Sequence, residues 1–413
     1  LVASPGAHAS TLVRPPASHT LGIDRITERE LALVLPGVHI VSPAGIGVAR
    51  MRSKSGGKDQ VTLVALDSST GLLFSNGKGM NGIVWGRERS GLGTFSHPSD
   101  VAIDRSGRVA VTDTGNRRVV ILQHDGSGLA GEKEFRSFQE PKGIAADGSG
   151  GFYVCDRSAN TVVHLDAQTG SRVPFGLEIS FDRPIAVAAI AEGDRMAAGK
   201  RRRIAIVDKD GARVRSFTIE GNLAATRDAS ALAGGAHFDD IDFDFFGNVF
   251  AVDSAHHRVH KLRDDLVPLD SFGSKGEGPG QFLSPRGIAI HRELGQVFIT
   301  EENGGRYLWI GTDVRDFQAE TGQGEVAFSY MLTEESTATL RILDSSGRLV
   351  ASIFTDDRQS AGTTRGTWDG TAKNGAVVPA GDYVAEIRAR ATYSSKSSFE
   401  KKATRTFHWA PRS

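Results

Sequence analysis

The sequence predicts an all-β chain in two parts, and three observations carry that prediction. The first is a set of short alternating apolar runs divided by Asp/Asn/Gly turns. Phe95 to Gly126 shows it best, with Val101-Ala102-Ile103, Val109-Ala110-Val111 and Val119-Val120-Ile121-Leu122 separated by Asp104-Arg105-Ser106-Gly107 and Asp113-Thr114-Gly115-Asn116. Gly and Asn supply the positive φ that tight hairpins need, so the stretch reads as an antiparallel meander. The second is recurrence. Pro43, Pro98, Pro141, Pro184, Phe238 and Pro285 open six such meanders, roughly 40–55 residues apart, the period of propeller blades. One meander cannot bury both faces, so copies must pack on one another, and six blades are expected. The third is a change of character beyond residue 324, where strands alternate without that period.

Taken in order, Ala7-His8-Ala9 before Ser10 has the small-x-small form of a signal-peptidase site, with Leu1-Val2-Ala3 as the tail of an apolar region. The expectation is an extracytoplasmic chain: periplasmic, cell-surface or secreted. Residues 10 to 20 read as a flexible lead-in. Thr27-Glu28-Arg29-Glu30 is a capping box, with Leu31, Val34 and Leu35 following before Pro36, so a short helix is expected. The expected organisation is a signal remnant and lead-in at 1–20, a capping-helix region at 21–37 and the propeller at 38–318. A linker at 319–324, a sandwich at 325–410 and a tail at 411–413 complete it.

Lys+Arg 49 against Asp+Glu 49 leaves no net charge, which gives no bulk pull toward nucleic acid or anionic lipid. No apolar run approaches the ~18 residues a membrane span needs. The single cysteine, Cys155, cannot close an internal disulfide, and its place in Phe152-Tyr153-Val154-Cys155 predicts a buried inert thiol.

The repeat resembles the NHL family of β-propellers over most of residues 38 to 318. Asp113-Thr-Gly-Asn-Arg-Arg118-Val matches the family's strand-end acid, Asn loop and following Arg. Asp253 to Arg258 and Glu301 to Arg306 repeat the spacing, Asp156 has Thr161 where the Arg would stand, and the fourth blade is read as lacking the pair. A carboxylate there can accept turn N–H groups and pair with the Arg opening the next strand, so these residues are read as architecture.

Propellers place ligands where the inner strands converge. Two residues after each opening stand Gly45, Asp100, Gly143, Ala186, Asp240 and Gly287; two further on stand Gly47, Ala102, Ala145, Ala188, Asp242 and Ala289. Side chains alternate along a strand, so both sets should face the channel. Asp100, Asp240 and Asp242 break the small-residue rule and must be compensated by a cation, an Arg or water. Lys142 and Arg286 are the expected partners, with His97, Glu140 and His237 beside the openings. The functional reading is a polar ligand at Asp100, Asp240, Asp242, Lys142 and Arg286. Its metal version is a calcium or zinc ion held by Asp100, Asp240, Asp242, His97 and His237. The structural reading is a solvated polar channel.

Peptidyl-hydroxyglycine lyases are similar propellers whose zinc histidines follow the opening proline. Here those positions are Ala44, Ser99, Lys142, Ile185, Asp239 and Arg286, with no histidine among them. Lactonase propellers hold calcium in the channel, which the three aspartates keep open. His256-His257 reads as an exposed turn.

Beyond residue 324, Trp368-Asp369-Gly370 and Pro379-Ala380-Gly381-Asp382-Tyr383 closely resemble the Ig-like domain of FlgD, the flagellar hook-capping protein. The resemblance implies a β-sandwich with Trp368 in its core, turns at Asp369-Gly370 and Ala380-Gly381, and a spacer or attachment role. The expected function is binding of a protein, peptide or glycan by the propeller face. The alternative is a metal-dependent hydrolase or lyase, lactonase-like or peptidyl-hydroxyglycine-lyase-like, at the channel mouth.

Overall fold

In a computed structural model the described residues are 11–20, 23–33, 35, 37–51, 59–77, 82–86, 91–190, 192–322 and 324–411. The expected cleavage motif, Val34 and Pro36 lie outside them. The chain divides into two compact units, Ala17–Leu308 and Trp309–Ser413, the latter including the N-terminal residues up to Pro16.

The first unit is six antiparallel sheets around a central channel. Blade 1 comprises Pro43–Met51, Gln60–Asp67, Leu72–Asn76 and Gly82–Trp85, and blade 2 comprises Asp100–Ile103, Arg108–Asp113, Arg118–His124 and Leu129–Phe135. Blade 3 is Pro141–Ala146, Gly151–Asp156, Thr161–Asp166 and Arg172–Pro174; blade 4 is Ala186–Ala189, Arg203–Asp208, Arg213–Thr218 and Leu223–Asp228. Blade 5 is Asp240–Phe243, Val249–Asp253, Arg258–Leu262 and Pro268–Phe272. Blade 6 is Gly287–His291, Gln296–Glu301 and the strand from Gly304, whose free edge pairs with Arg25–Thr27 from the other end of the chain. Its inner strand lies beside that of blade 1, closing the ring. The region expected to supply only a helix thus supplies the closing strand. Its helix is one turn, Glu28–Leu31, with the Glu30 carboxylate accepting the Thr27 N–H at 3.0 Å. Part of the expected flexible lead-in is ordered as well: Leu12–Val13 pairs with Trp309–Ile310, and Ala17–Thr20 is a helical turn.

Two devices repeat around the ring. The first shapes the hairpin between inner and second strands. Asp104 Oδ1 accepts the N–H groups of Ser106 and Arg108 at 2.8 and 3.0 Å, and Asp244 Oδ1 those of Phe246 and Asn248 at 2.9 and 2.8 Å. Gly107 and Gly247, at φ +84° and +81°, make the left-handed step these turns require.

The second device is the acid ending each second strand: Asp67, Asp113, Asp156, Asp208, Asp253 and Glu301. Asp113 accepts Ser96 N–H at 2.7 Å and Arg118 Nε at 2.6 Å; Glu301 accepts Leu283 N–H and Arg306 Nε, both at 2.9 Å. Two expectations need correction. Blade 4 does have the pair, since Arg213 clasps Asp208 through Nε at 2.7 Å and Nη2 at 2.6 Å, with Arg215 also on that carboxylate. In blade 5, Asp253 is held by His256 Nδ1 at 2.7 Å and His260 Nε2 at 3.1 Å instead of by Arg258. His256-His257 is therefore tied in, and His257 Nδ1 accepts Ser284 N–H at 2.9 Å.

Neighbouring blades bury apolar faces between them. Val64, Leu66 and Leu73 of blade 1 meet Val101, Val109 and Val111 of blade 2. Cys155 is fully buried in the cluster joining blades 3 and 4, and burial pushes its thiol well up.

The second unit is a β-sandwich. Val314–Gly322, Glu325–Leu332 and Gly362–Trp368 form one sheet; Leu349–Gln359, Ser336–Leu343, Gly381–Ala391 and Lys401–Trp409 form the other. Residues 319–322 of the expected linker are instead the end of an edge strand, with Gly322 opposite Glu325. Glu320, Thr321 and Gly322 are all exposed there, at the free end of the edge strand. Trp368 is 3% exposed and packs against Tyr383, Phe407 and Trp409. Asp369 Oδ1 accepts Thr371 N–H at 3.0 Å, and Tyr383 donates its hydroxyl to Pro379 O at 2.9 Å. Gly370, at φ +79°, has no room for a Cβ, which would stand 1.9 Å from the Trp409 ring. Gly381 opens its strand, and the bend falls on Ala380.

Candidate channel site

The inner strands converge so closely that most channel positions admit nothing larger than Gly or Ala. A Cβ on Gly143 would lie 2.6 Å from Ala186 Cα, and one on Gly287 would lie 2.4 Å from Ala44 O. Inner strands of different blades share no ladder, so their inward N–H groups need other acceptors. The channel aspartates provide them. Asp100 Oδ2 accepts Ile144 N–H of blade 3 at 2.9 Å, Asp240 Oδ2 accepts Ile288 N–H of blade 6 at 2.9 Å, and Asp242 Oδ2 accepts Ile290 N–H at 2.8 Å. Asp100 Oδ1 and Asp242 Oδ1 also take the N–H of their own next residue, both at 2.7 Å. Each aspartate thus stitches one blade to the next.

Their electrostatics differ. Burial lifts Asp100 to about 7 against the pull of two N–H bonds, and burial together with Asp100 lifts Asp240 well above the usual range. Burial also raises Asp242, opposed by Arg292, whose Nη2 sits 2.9 Å from Asp242 Oδ1. Arg292 is the compensating cation that sequence reasoning missed. It follows the blade 6 inner strand, and no spacing rule ties it to a residue 50 positions earlier.

The expected partners lie elsewhere. Lys142 Nζ stands 3.5 Å from Glu140 and 3.4 Å from Ser99 Oγ, and Arg286 Nη1 donates to Ser42 Oγ at 2.9 Å. Both line the strand-opening mouth but neither pairs with a channel aspartate. His97 is exposed, 3.4 Å from Ser96 Oγ, and takes no part in the channel lining. His237 sits at the rim, 3.6 Å from Asp239. With the two histidines outside and Asp242 neutralised by Arg292, the calcium or zinc set does not assemble. Among the described residues no three His, Cys, Asp or Glu side chains converge on a point that could hold a metal ion.

The two ends of the channel differ. At the far end, where the inner strands finish, residues 192–200 of blade 4 run across the opening. Glu192 N–H reaches Asp147 O of blade 3 at 2.6 Å, Arg105 of blade 2 reaches Gly193 O at 2.8 Å, and Ala197 N–H reaches Phe245 O of blade 5 at 3.1 Å. Asp194 pairs with Arg292, and Arg195 lies 3.5 Å from Glu293 of blade 6. This strap covers a chamber of about 140 Å³ that includes Asp100, Asp240, Asp242 and His291. The strand-opening end holds a larger cavity, about 660 Å³. Ser99, Lys142, Asp239 and Arg286 ring it, Arg157 bridges Glu140 and Asp210 at 2.8 and 2.6 Å, and Asp100 and Asp240 lie at its floor. Among the described residues no Phe, Tyr or Trp lines it, and the one ring at its edge is the His237 imidazole.

Among known families, residues 95–122 match the NHL repeat and residues 313–393 the FlgD Ig-like domain. The comparison with curated proteins finds no match. Similar solved structures include virginiamycin B lyase from Staphylococcus aureus, at 11% identity over 70% of this chain and 94% of that one, TM-score 0.43. A gluconolactonase from Xanthomonas campestris is 16% identical over 75% and 99% of the two chains, TM-score 0.45. The nidogen/laminin complex contributes a chain 16% identical over 55% and 78%, TM-score 0.40. None of the three lends this chain an activity. The chain carries an NHL repeat within a six-bladed propeller, followed by an FlgD Ig-like domain.

Proposed function

We propose that the propeller is an extracytoplasmic recognition module that takes a protein, peptide or glycan at the strand-opening mouth, with the Ig-like domain as spacer or attachment module. One observation carries this reading. The strand-opening end has the roomier, mixed-charge cavity, while the far end is crossed by contacts to blades 2, 3, 5 and 6. The channel carboxylates act as inter-blade acceptors, which favours binding over catalysis.

The test is to screen the full chain against soluble peptides and oligosaccharides, wild type beside a Lys142→Glu/Arg286→Glu double variant. Binding that the double variant loses supports the reading. Binding it retains, or none at all, overturns it. Metal analysis with melting curves in EDTA runs in parallel: a stoichiometric ion that Asp240→Ala no longer retains would overturn the reading of the channel carboxylates as inter-blade acceptors.

A further inference from the structure

We propose that the ligand entering this mouth is the free amino terminus of a peptide whose first residue is acidic. The inference rests on the recognition reading above and names the chemistry of its site.

In a ring of six, blades 2 and 5 stand opposite, as do blades 3 and 6. The rim layer therefore sets Lys142 against Arg286 across one diameter, and Ser99 against Asp239 across another. One residue deeper, Asp100 and Asp240 face each other, and the remaining positions are Gly45, Gly143, Ala186 and Gly287. The cavity is thus a crossed charge pattern, with cations above on one axis and carboxylates below on the other.

An ammonium fits the lower layer. Each carboxylate oxygen of Asp100 spends one lone pair on a backbone N–H, leaving acceptor capacity. A cation between the two carboxylates would relieve their mutual repulsion, as Arg292 does for Asp242 at the other end. The small residues around them leave a chain end room to descend. A carboxylate fits the upper layer. Arg286 is exposed, and its hydrogen bond goes to the neutral Ser42 hydroxyl; Lys142 is 31% exposed and loosely placed against Glu140. Both cations can turn to a ligand anion. An N-terminal Asp or Glu carries the two charges on one residue. The lining offers no Phe, Tyr or Trp face for a sugar ring to stack on, only the His237 imidazole at the rim, so charge favours the peptide over the glycan.

The experiment titrates the full chain calorimetrically with a pentapeptide beginning Glu-Ala, its N-acetyl form, and the same peptide beginning Gln-Ala. Each chemical change should weaken binding about tenfold or more. Asp240→Asn should shrink the penalty of acetylation, and Arg286→Ala the preference for Glu over Gln, with melting curves confirming that each variant is folded. Equal binding of the free and acetylated peptides, or penalties unchanged in the variants, overturns the proposal. Oligosaccharides that bind through Lys142 and Arg286 while no peptide does would overturn it and leave the recognition reading standing. Binding of neither class ends both.

Discussion

Replacing Asp100 by Asn tests whether channel carboxylates serve as buried acceptors between blades. Burial holds the Asp100 carboxyl at about 7, against 3.8 for the free group. In the unfolded chain it loses its proton near the ordinary value, while the folded channel keeps that proton to about pH 7. The folded state therefore binds more protons within this window, and stability falls as pH rises through it. The part of the window above about pH 5 sets a ceiling of roughly 3 kcal/mol. Water in the open mouth and coupling to Asp240 reduce this to about 1–2 kcal/mol. Asn keeps one acceptor oxygen and loses the other, a cost of about 1 kcal/mol at either pH. The variant should thus be less stable than wild type near pH 5 and should close or reverse the gap near pH 8. Acids whose pKa is lowered, such as Asp253 and Glu386, both about 2, act below the ordinary carboxylate value and leave this window clear. Denaturant unfolding of the full chain at about pH 5 and pH 8, following the same transition in both proteins, measures the difference. Parallel pH dependences would refute the argument.

Three further outcomes are expected. Asp208→Ala strips the partner from Arg215, whose side chain is 7% exposed, and should cost roughly 3–5 kcal/mol by denaturant unfolding. Gly370→Ala drives a Cβ into the Trp409 ring at a left-handed φ and should destabilise the sandwich by about 3 kcal/mol or more. Near-UV circular dichroism of Trp368 and Trp409 reports it. Cys155 should resist thiol reagents in the native protein and react only on unfolding; rapid native labelling would contradict its burial between blades 3 and 4.

The blade count was legible because the blades carry their own local signals: an opening proline in all but blade 5, a turn acid in blades 2, 3 and 5, and a strand-end acid in each. The small channel residues were legible for the same reason, since one alignment of openings compares six equivalent positions. Reading failed where a blade's local signals are worn, or where a residue's partner comes from another blade or another register. The Arg213–Asp208 pair has the five-residue spacing of Arg118–Asp113, yet the worn signals of blade 4 hid it. Asp253 recruits His260 seven residues on in place of the nearer Arg258, because the side chain two positions along the strand lies on the same face. Lys142 and Arg286 stand one residue from the channel positions, and that single step turns them to the rim.

By itself the sequence determined the all-β class, the six blades, the Trp368 core and the three channel acids, because period, turn chemistry and alternation are local properties of the chain. Only the tertiary structure decided what those acids do and which end of the channel holds the larger cavity. Asp100, Asp240 and Asp242 meet N–H groups about 44–48 residues away, Arg292 reaches back to Asp242 and Asp194, and a strap from blade 4 touches four other blades. Such contacts arise from ring closure, which brings distant segments together without leaving any spacing in the sequence to announce them.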